Sequence, residues 1–195
     1  TPAGTCNSGS VVLHATANSG TVYWYSASGG GSPLDTGTTF TTPVIFAPTT
    51  YYVEAHENAC VSASRTPVVA SIYSNPNITG TTAASGCTGD KLTLGASASA
   101  GVINWYTSAT GGTSIATGTS FTTPALTTTT TYYVDATANG CTSNFRTPAK
   151  ATINPIPTIT GVTPASSCGN ASLTLLATAS SGIISWFDVA TGGTA

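Results

Sequence analysis

The chain has 195 residues, enough for two domains of ordinary size. Charged residues make up only 5% of it and the formal net charge is −2, a field too weak to attract nucleic acid or an anionic membrane by itself. Hydrophobic residues make up 40%, which is enough for a folded core, and no apolar run approaches the roughly 20 residues of a membrane-spanning helix.

An internal repeat with a period of 81 residues organises the sequence. The period relates Trp24, Trp105 and Trp186; Cys6, Cys87 and Cys168; Cys60 and Cys141; and the glycine pairs Gly30-Gly31, Gly111-Gly112 and Gly192-Gly193. It predicts two complete domains at 1–74 and 75–155 and a partial third at 156–195. Proline stands at both junctions, as Pro76 and as Pro155 and Pro157. Short, stiff linkers of this kind predict repeats arranged as a rod.

Alternating apolar residues predict the strands, in the same chain order in each copy. In the second copy these are strand B (Leu92, Leu94, Ala96, Ala98), strand C (Ile103, Trp105), a strand at Phe121, strand F (Tyr132, Val134, Ala136) and strand G (Ala149, Ala151, Ile153). Asn139-Gly140 predicts a tight F–G turn. With Trp24, Trp105 and Trp186 as core residues of strand C, the pattern predicts an all-β chain of tandem immunoglobulin-like β-sandwich repeats.

Each complete copy contains two cysteines, so we expect one disulfide per domain, Cys6–Cys60 and Cys87–Cys141. This pairing has a geometric difficulty. In a standard immunoglobulin topology, a cysteine before strand B and one after the F–G turn lie at opposite ends of the sandwich. A scheme across the junctions, Cys60–Cys87 and Cys141–Cys168, also respects the repeat, and free buried thiols are a third alternative. With the intradomain pairing, Cys168 needs a partner beyond residue 195.

Candidate catalytic residues are sparse. The only histidines, His14 and His56, correspond to Gly95 and Thr137 in the second copy, so neither belongs to a function that the copies share. No close cluster of Asp, Glu and His has the spacing of metal ligands. We therefore expect neither an enzyme nor a bound metal or cofactor.

Two charged positions recur in both complete copies, the acids Glu54 and Asp135 and the arginines Arg65 and Arg146. A tight F–G turn would place Tyr133 opposite Arg146, with Asp135 diagonal to it on the outer face. The guanidinium can then lie on the ring and reach the carboxylate. Tyr52, Glu54 and Arg65 would form the same hairpin clamp in the first copy. The alternative is a sugar-binding platform that uses these tyrosines.

The copies share several short motifs, which in the second copy are Trp105-Tyr106, Gly111-Gly112, Phe121-Thr122-Thr123-Pro124, Tyr132-Tyr133-Val134 and Arg146-Thr147-Pro148. The set resembles the immunoglobulin-like repeats of very large secreted proteins of gliding bacteria, among them gliding-motility adhesins exported by type IX secretion. The resemblance implies an extracellular, cell-surface location and supplies no catalytic residues.

We therefore expect a non-catalytic structural stalk or adhesin segment of a large secreted bacterial surface protein. Its expected partners are neighbouring repeats of the same chain and surface polysaccharide or other cell-surface proteins, with no nucleic acid and no membrane span. The alternative function is a carbohydrate-binding or spacer module of a secreted polysaccharide-degrading enzyme.

Overall fold

A computed structural model describes residues 3–191, so the Gly192-Gly193 pair of the third copy lies outside the described residues. All regular structure between these limits is β-strand. The first copy contains β1 (Ala3–Cys6), β2 (Val12–His14), β3 (Thr21–Tyr25), β4 (Asp35–Thr36), β5 (Thr39–Thr41), β6 (Thr49–Glu57), β7 (Cys60–Val61) and β8 (Thr66–Tyr73). The second contains β9 (Ile78–Thr82), β10 (Ala84–Cys87), β11 (Thr93–Ala98), β12 (Val102–Tyr106), β13 (Ala116–Thr117), β14 (Ser120–Thr122), β15 (Thr130–Ala138), β16 (Cys141–Thr142) and β17 (Thr147–Asn154). The third contains β18 (Ile159–Thr163) and β19 (Leu176–Ala179).

The first two copies, called repeat 1 and repeat 2 from here on, are immunoglobulin-like sandwiches. In repeat 2 the larger sheet has the order β10-β17-β15-β12-β13, with β16 paired to β15, and the smaller sheet has the order β14-β11-β9. The short strand β10 runs parallel to β17, and the other strand pairs of these sheets are antiparallel. The larger sheet of repeat 1 has the same order, β1-β8-β6-β3-β4, and its smaller sheet pairs β2 with β5. Strands B, C, F and G are β11, β12, β15 and β17 in repeat 2.

The core of each repeat is built around the tryptophan of strand C. Trp24 and Trp105 are both fully buried. The Trp105 indole nitrogen donates a hydrogen bond of 2.8 Å to the Gly118 carbonyl, so burial leaves its one polar group satisfied. The ring packs on Phe121 at 5.5 Å between centroids, and Phe121 meets the edge of Tyr132 at 4.9 Å. Aromatic packing therefore joins the two sheets.

The Thr-Thr-Pro motif has a structural role in the same core. The second threonine of each copy, Thr42 or Thr123, is 2% exposed. The Thr123 hydroxyl accepts a 3.0 Å hydrogen bond from the backbone nitrogen of Leu92, and Thr42 does the same for Val11. Buried backbone donors need a partner. These hydroxyls supply one just after β5 and β14 end, where the ladder between the strands stops.

Among its described residues, 156–191, the third copy has no buried core, which corrects the prediction that Trp186 is a core residue. Trp186 is 50% exposed and lies outside any strand. The sequence ends at residue 195, before the counterparts of Phe121 and Tyr132 that cover Trp105 in repeat 2. Only β18 and β19 pair with each other among the described residues of this copy.

The F–G turn combines a tight hairpin with a two-residue shift in register. Asn139 and Gly140 both have positive φ, 51° and 78°, and they pair Ala138 with Cys141. The chain then leaves the ladder through a loop at 143–146, and strand G begins by pairing Thr147 with Val134. The paired residue numbers sum to 279 across the turn and to 281 along strand G, so the loop adds two residues.

Candidate functional site

A disulfide between Cys6 and Cys141 crosses the joint between repeat 1 and repeat 2. The Cα atoms are 5.7 Å apart although the residues are separated by 135 positions. Cys6 ends β1, which lies parallel to β8 with Cys6 beside Tyr73, so it stands where repeat 1 ends. Cys141 follows the F–G turn, which stands where strand G of repeat 2 begins. The bond therefore brings the end of one repeat and the start of the next together.

The predicted intradomain pairing, Cys6–Cys60 and Cys87–Cys141, is wrong. Cys87 pairs with Asn154 at the end of strand G, whereas Cys141 lies near its start. Eight extended residues span roughly 25 Å, and disulfide partners need Cα atoms within about 7 Å. Neither member of the junction scheme, Cys60–Cys87 and Cys141–Cys168, is formed either. Cys60, Cys87 and Cys168 are free and exposed.

The joint also has a polar contact and a shallow groove beside the disulfide. The Asn75 side-chain amide of the linker donates a 2.6 Å hydrogen bond to the Asn144 side-chain oxygen of the F–G loop. Around it, residues 75–78 and 143–145 with Thr147 line a groove of about 230 Å³. The F–G loop of repeat 2 therefore contacts the linker as well as repeat 1.

An arginine clamp holds the outer face of each complete repeat. In repeat 2 the Arg146 guanidinium lies 3.2 Å from the ring centroid of Tyr106, and its Nε donates to Asp135 at 3.3 Å. Its Nη1 donates to the backbone carbonyls of Ser108 and Gly111 at 2.9 and 2.6 Å. The side chain thus joins strands C and F, the F–G loop and the glycine turn after strand C.

The clamp of repeat 1 has the same geometry. Arg65 lies 3.3 Å from the Tyr25 ring centroid, and its Nε donates to Glu54 at 3.0 Å. Its Nη1 donates to the Ala27 and Gly30 carbonyls at 2.8 and 2.7 Å. Because each arginine binds two backbone carbonyls of the turn, the clamp has a structural role.

The structure corrects the aromatic member of the predicted clamp. Tyr133 faces Pro148 on strand G rather than Arg146, because the F–G loop moves the arginine out of the ladder. The guanidinium instead covers Tyr106 of strand C, and in repeat 1 it covers Tyr25 in place of Tyr52. The acid partners are the expected ones, Glu54 and Asp135. The Trp-Tyr pair was a usable signal, since Tyr25 and Tyr106 both follow the core tryptophan.

Charge pairing in repeat 1 changes the titration of its carboxylate. The hydrogen bond from Arg65 is the largest of the influences that lower the pKa of Glu54 to about 2. Hydrogen bonds from Tyr25 and His56 contribute in the same direction. Burial is the main cause that raises the pKa of Tyr25. The Glu54 carboxylate is therefore ionised throughout the physiological range and is held by the clamp.

A groove of about 520 Å³ in repeat 1 is lined by residues 14–16 at the end of β2, by Val53 of β6 and by residues 66–69 of β8. The equivalent place in repeat 2 holds β9, which pairs with Gly95 and Ala96 of β11 and whose Thr81 hydroxyl donates to the Pro148 carbonyl. The groove of repeat 1 therefore lies at the position that a β-strand, β9, fills in repeat 2. It is not by itself evidence for a small-molecule site.

The outer faces of the two repeats share some aromatic side chains and differ in others. The Tyr23 and His56 rings contact each other in repeat 1 with their centroids 4.2 Å apart, but Asn104 and Thr137 occupy these places in repeat 2. Of the tyrosines that both repeats share on this face, Tyr25 and Tyr106 are covered by the arginines, and Tyr52 and Tyr133 are half-buried beside them on strand F. Between residues 3 and 191 no group of three or more His, Cys, Asp and Glu side chains is placed to hold a metal ion.

Within the same limits, no helix is long and apolar enough to span a membrane. No curated protein matches the chain. Among solved structures, immunoglobulin domains 1–4 of Sidekick-1 align at 17% identity and a TM-score of 0.37, covering 84% of this chain and 52% of that one. The fibronectin(III)-like modules of Clostridium thermocellum CbhA align at 17% identity and a TM-score of 0.45, covering 79% and 90%. The chain thus spans about half the length of the Sidekick-1 structure.

A family model described as "Ig-like domain CHU_C associated" matches residues 1–73 and again residues 74–155. The two matches together cover more than half of the chain and coincide with the two complete sandwiches. The chain belongs to this family of immunoglobulin-like domains.

Proposed function

We propose that this chain is a structural stalk or adhesin segment of a large secreted bacterial surface protein. The observation that carries the proposal is the disulfide between Cys6 and Cys141, which restrains the joint between two successive sandwiches of the same family. A covalent bond at the border between two modules limits how far they can bend relative to each other. A segment that holds other parts of a protein at a fixed distance benefits from such a restraint, because bending at the joint would shorten that distance.

The position of this bond supports an end-to-end arrangement. It connects Cys6, which lies beside the last residue of β8 in repeat 1, to Cys141, which follows the F–G turn of repeat 2. Contact between opposite ends of successive repeats produces a rod, whereas side-by-side packing would join strand edges. The linker proline Pro76 adds local stiffness between the two.

The disulfide also supports a location outside the cytoplasm. Structural disulfides form and persist in oxidising surroundings and are rare in the reducing cytosol. Immunoglobulin-like repeats suit a structural or spacer role, and such domains are generally not catalytic. The arginine clamps fit this role, since they stabilise each module without presenting a site.

Small-angle scattering on the whole 195-residue chain tests the shape. A compact globule of this length has a radius of gyration of about 16 Å. A nine-residue strand F is about 30 Å long, so two repeats with their turns reach roughly 80 Å, and a rod of that length has a radius of gyration of about 23 Å. A value near 16 Å would refute the rod.

Antibody labelling tests the location. An antibody raised against residues 75–155 is applied to intact and to permeabilised cells of the source organism. We expect labelling of intact cells, and loss of that labelling after brief treatment with an external protease. Labelling only after permeabilisation would contradict the proposal, and binding of a cytoplasmic control antibody to intact cells would show that the cells leak.

A further inference from the structure

We propose that the joint disulfide is one link of a continuous series. In this series the cysteine that ends the first short strand of each repeat bonds the F–G turn cysteine of the following repeat. Cys87 is then the attachment position for a following repeat, and Cys60 is the turn cysteine that bonds a preceding one. The inference deepens the proposed function and rests on it for the oxidising surroundings.

Cys87 stands in the same structural position as the bonded Cys6. Cys6 ends β1 beside Tyr73 of β8, and Cys87 ends β10 beside Asn154 of β17. Both short strands run parallel to strand G and reach the end from which the linker leaves. The Cys87 thiol is free and exposed there. Its position is therefore that of a bonded cysteine without the partner that Cys6 has.

Cys60 stands in the position of the bonded Cys141. Both follow a tight turn opened by an asparagine with positive φ, 54° at Asn58 and 51° at Asn139. Cys60 pairs with Glu57, as Cys141 pairs with Ala138. Cys141 is 1% exposed in its bond to repeat 1, whereas Cys60 is exposed at the opposite side of repeat 1 from that joint.

The chain enters the third copy as it enters repeat 2. At the first entry the Asn77 nitrogen donates to the Ser99 hydroxyl at 3.0 Å, and the Ser99 nitrogen donates to the Asn77 carbonyl at 2.9 Å. Thr158 and Ser180 make the same two bonds at 3.0 and 2.9 Å. The two strands that follow also keep the register, since β18 pairs with β19 as β9 pairs with β11.

The linkers keep one proline, Pro76 or Pro157, but differ in the side chains beside it. Asn75, which contacts Asn144 at the first joint, corresponds to Ile156 at the second. The backbone hydrogen bonds at the entry to the next copy are the same at both joints, so they form without this amide contact.

The chemistry is a thiol–disulfide exchange. The two cysteine thiols lose two protons and two electrons as their sulfur–sulfur bond forms. A disulfide oxidant, either a small molecule such as oxidised glutathione or a protein disulfide, accepts both and becomes two thiols.

The test completes the third repeat. Residue 195 corresponds to residue 114, so the 195-residue chain is followed by a second copy of residues 115–155. The added turn cysteine then stands at position 222, which is 81 residues after Cys141. The extended chain is folded with oxidised and reduced glutathione, its free thiols are blocked, and its disulfides are mapped by mass spectrometry without reduction.

We expect two cross-linked peptide pairs, Cys6 with Cys141 and Cys87 with position 222, while Cys60 and Cys168 are blocked as free thiols. Cys87→Ser should leave position 222 free and keep the first bond. A free Cys87 in a chain whose first bond has formed would overturn the inference. So would a bond from position 222 to Cys60 or Cys168.

Folding of the added repeat is checked independently by tryptophan fluorescence. The emission maximum should move to shorter wavelength as the ring of Trp186 is buried. A second chain, residues 1–155 followed by residues 75–155, supplies a third repeat identical to repeat 2 and also carries its turn cysteine at position 222. Its disulfide map decides the question if the first chain leaves Trp186 exposed. Because the map is made in a defined oxidant, it is independent of where the protein is located in the cell.

Discussion

The substitution Trp105→Ala should remove the largest single contribution to the core of repeat 2. The side chain is fully buried, so its removal loses the burial of roughly 200 Å² of apolar surface, which is worth about 5 kcal/mol at roughly 25 cal/mol per Å². It also leaves the Gly118 carbonyl without its 2.8 Å partner. Relaxation of the site offsets part of this, and we expect a loss of about 3–5 kcal/mol in the free energy of unfolding.

Hydrogen-exchange mass spectrometry on the whole chain measures this loss, because peptides from β15 and β17 report on repeat 2 separately from repeat 1. Trp186→Ala is the matched control. Its ring is 50% exposed, so the same truncation should change the free energy of unfolding by less than about 0.5 kcal/mol. A loss below about 1 kcal/mol for Trp105→Ala would refute the reasoning, since it would mean that the sandwich does not depend on this ring.

Two further predictions concern the clamps. Arg146→Lys should destabilise repeat 2 by about 1–3 kcal/mol in a urea titration, because an ammonium group cannot reproduce the flat stacking and the three hydrogen bonds, whereas Lys150→Ala on the exposed side of β17 should change little. An equal effect of both substitutions would contradict the clamp. Glu54 has a pKa lowered from 4.5 to about 2, so its contribution to stability is complete above about pH 4.5 and is lost as the pH falls towards 2. Urea titrations from pH 6 to 2 should therefore show a smaller loss for Glu54→Gln than for the native chain, and identical pH dependence in the two would refute this.

Much of the fold follows from residues close together in the sequence. Alternation at Leu92, Leu94 and Ile103 identifies strands B and C, and the 81-residue period extends each assignment to the other copy. The buried, hydrogen-bonded position of Trp105 is consistent with its inward parity. The turn at Asn139-Gly140 is equally local, because two residues with positive φ specify it.

The clamp was only partly predictable. Glu54 and Arg65, and their counterparts Asp135 and Arg146, stand out because charge is rare in this chain. Their aromatic partner could not be read from the turn, because the loop after Thr142 adds two residues before strand G begins. A shift of this kind leaves no periodic trace in the four-residue loop at 143–146, so only the three-dimensional structure decides between Tyr133 and Tyr106.

The sequence by itself determined the all-β fold, the number of complete sandwiches and the residues around the two buried tryptophans. The strands and their core residues follow from the two-residue alternation of apolar side chains. The number of sandwiches follows from the 81-residue repeat, which no insertion interrupts. The disulfide partners and the environment of Trp186 were decided by tertiary structure. A period relates Cys6 to Cys87 and Cys60 to Cys141, but it carries no information about which ends of successive repeats meet. Only the parallel pairing of β1 with β8 and the approach of the next F–G turn bring Cys6 and Cys141 within bonding distance.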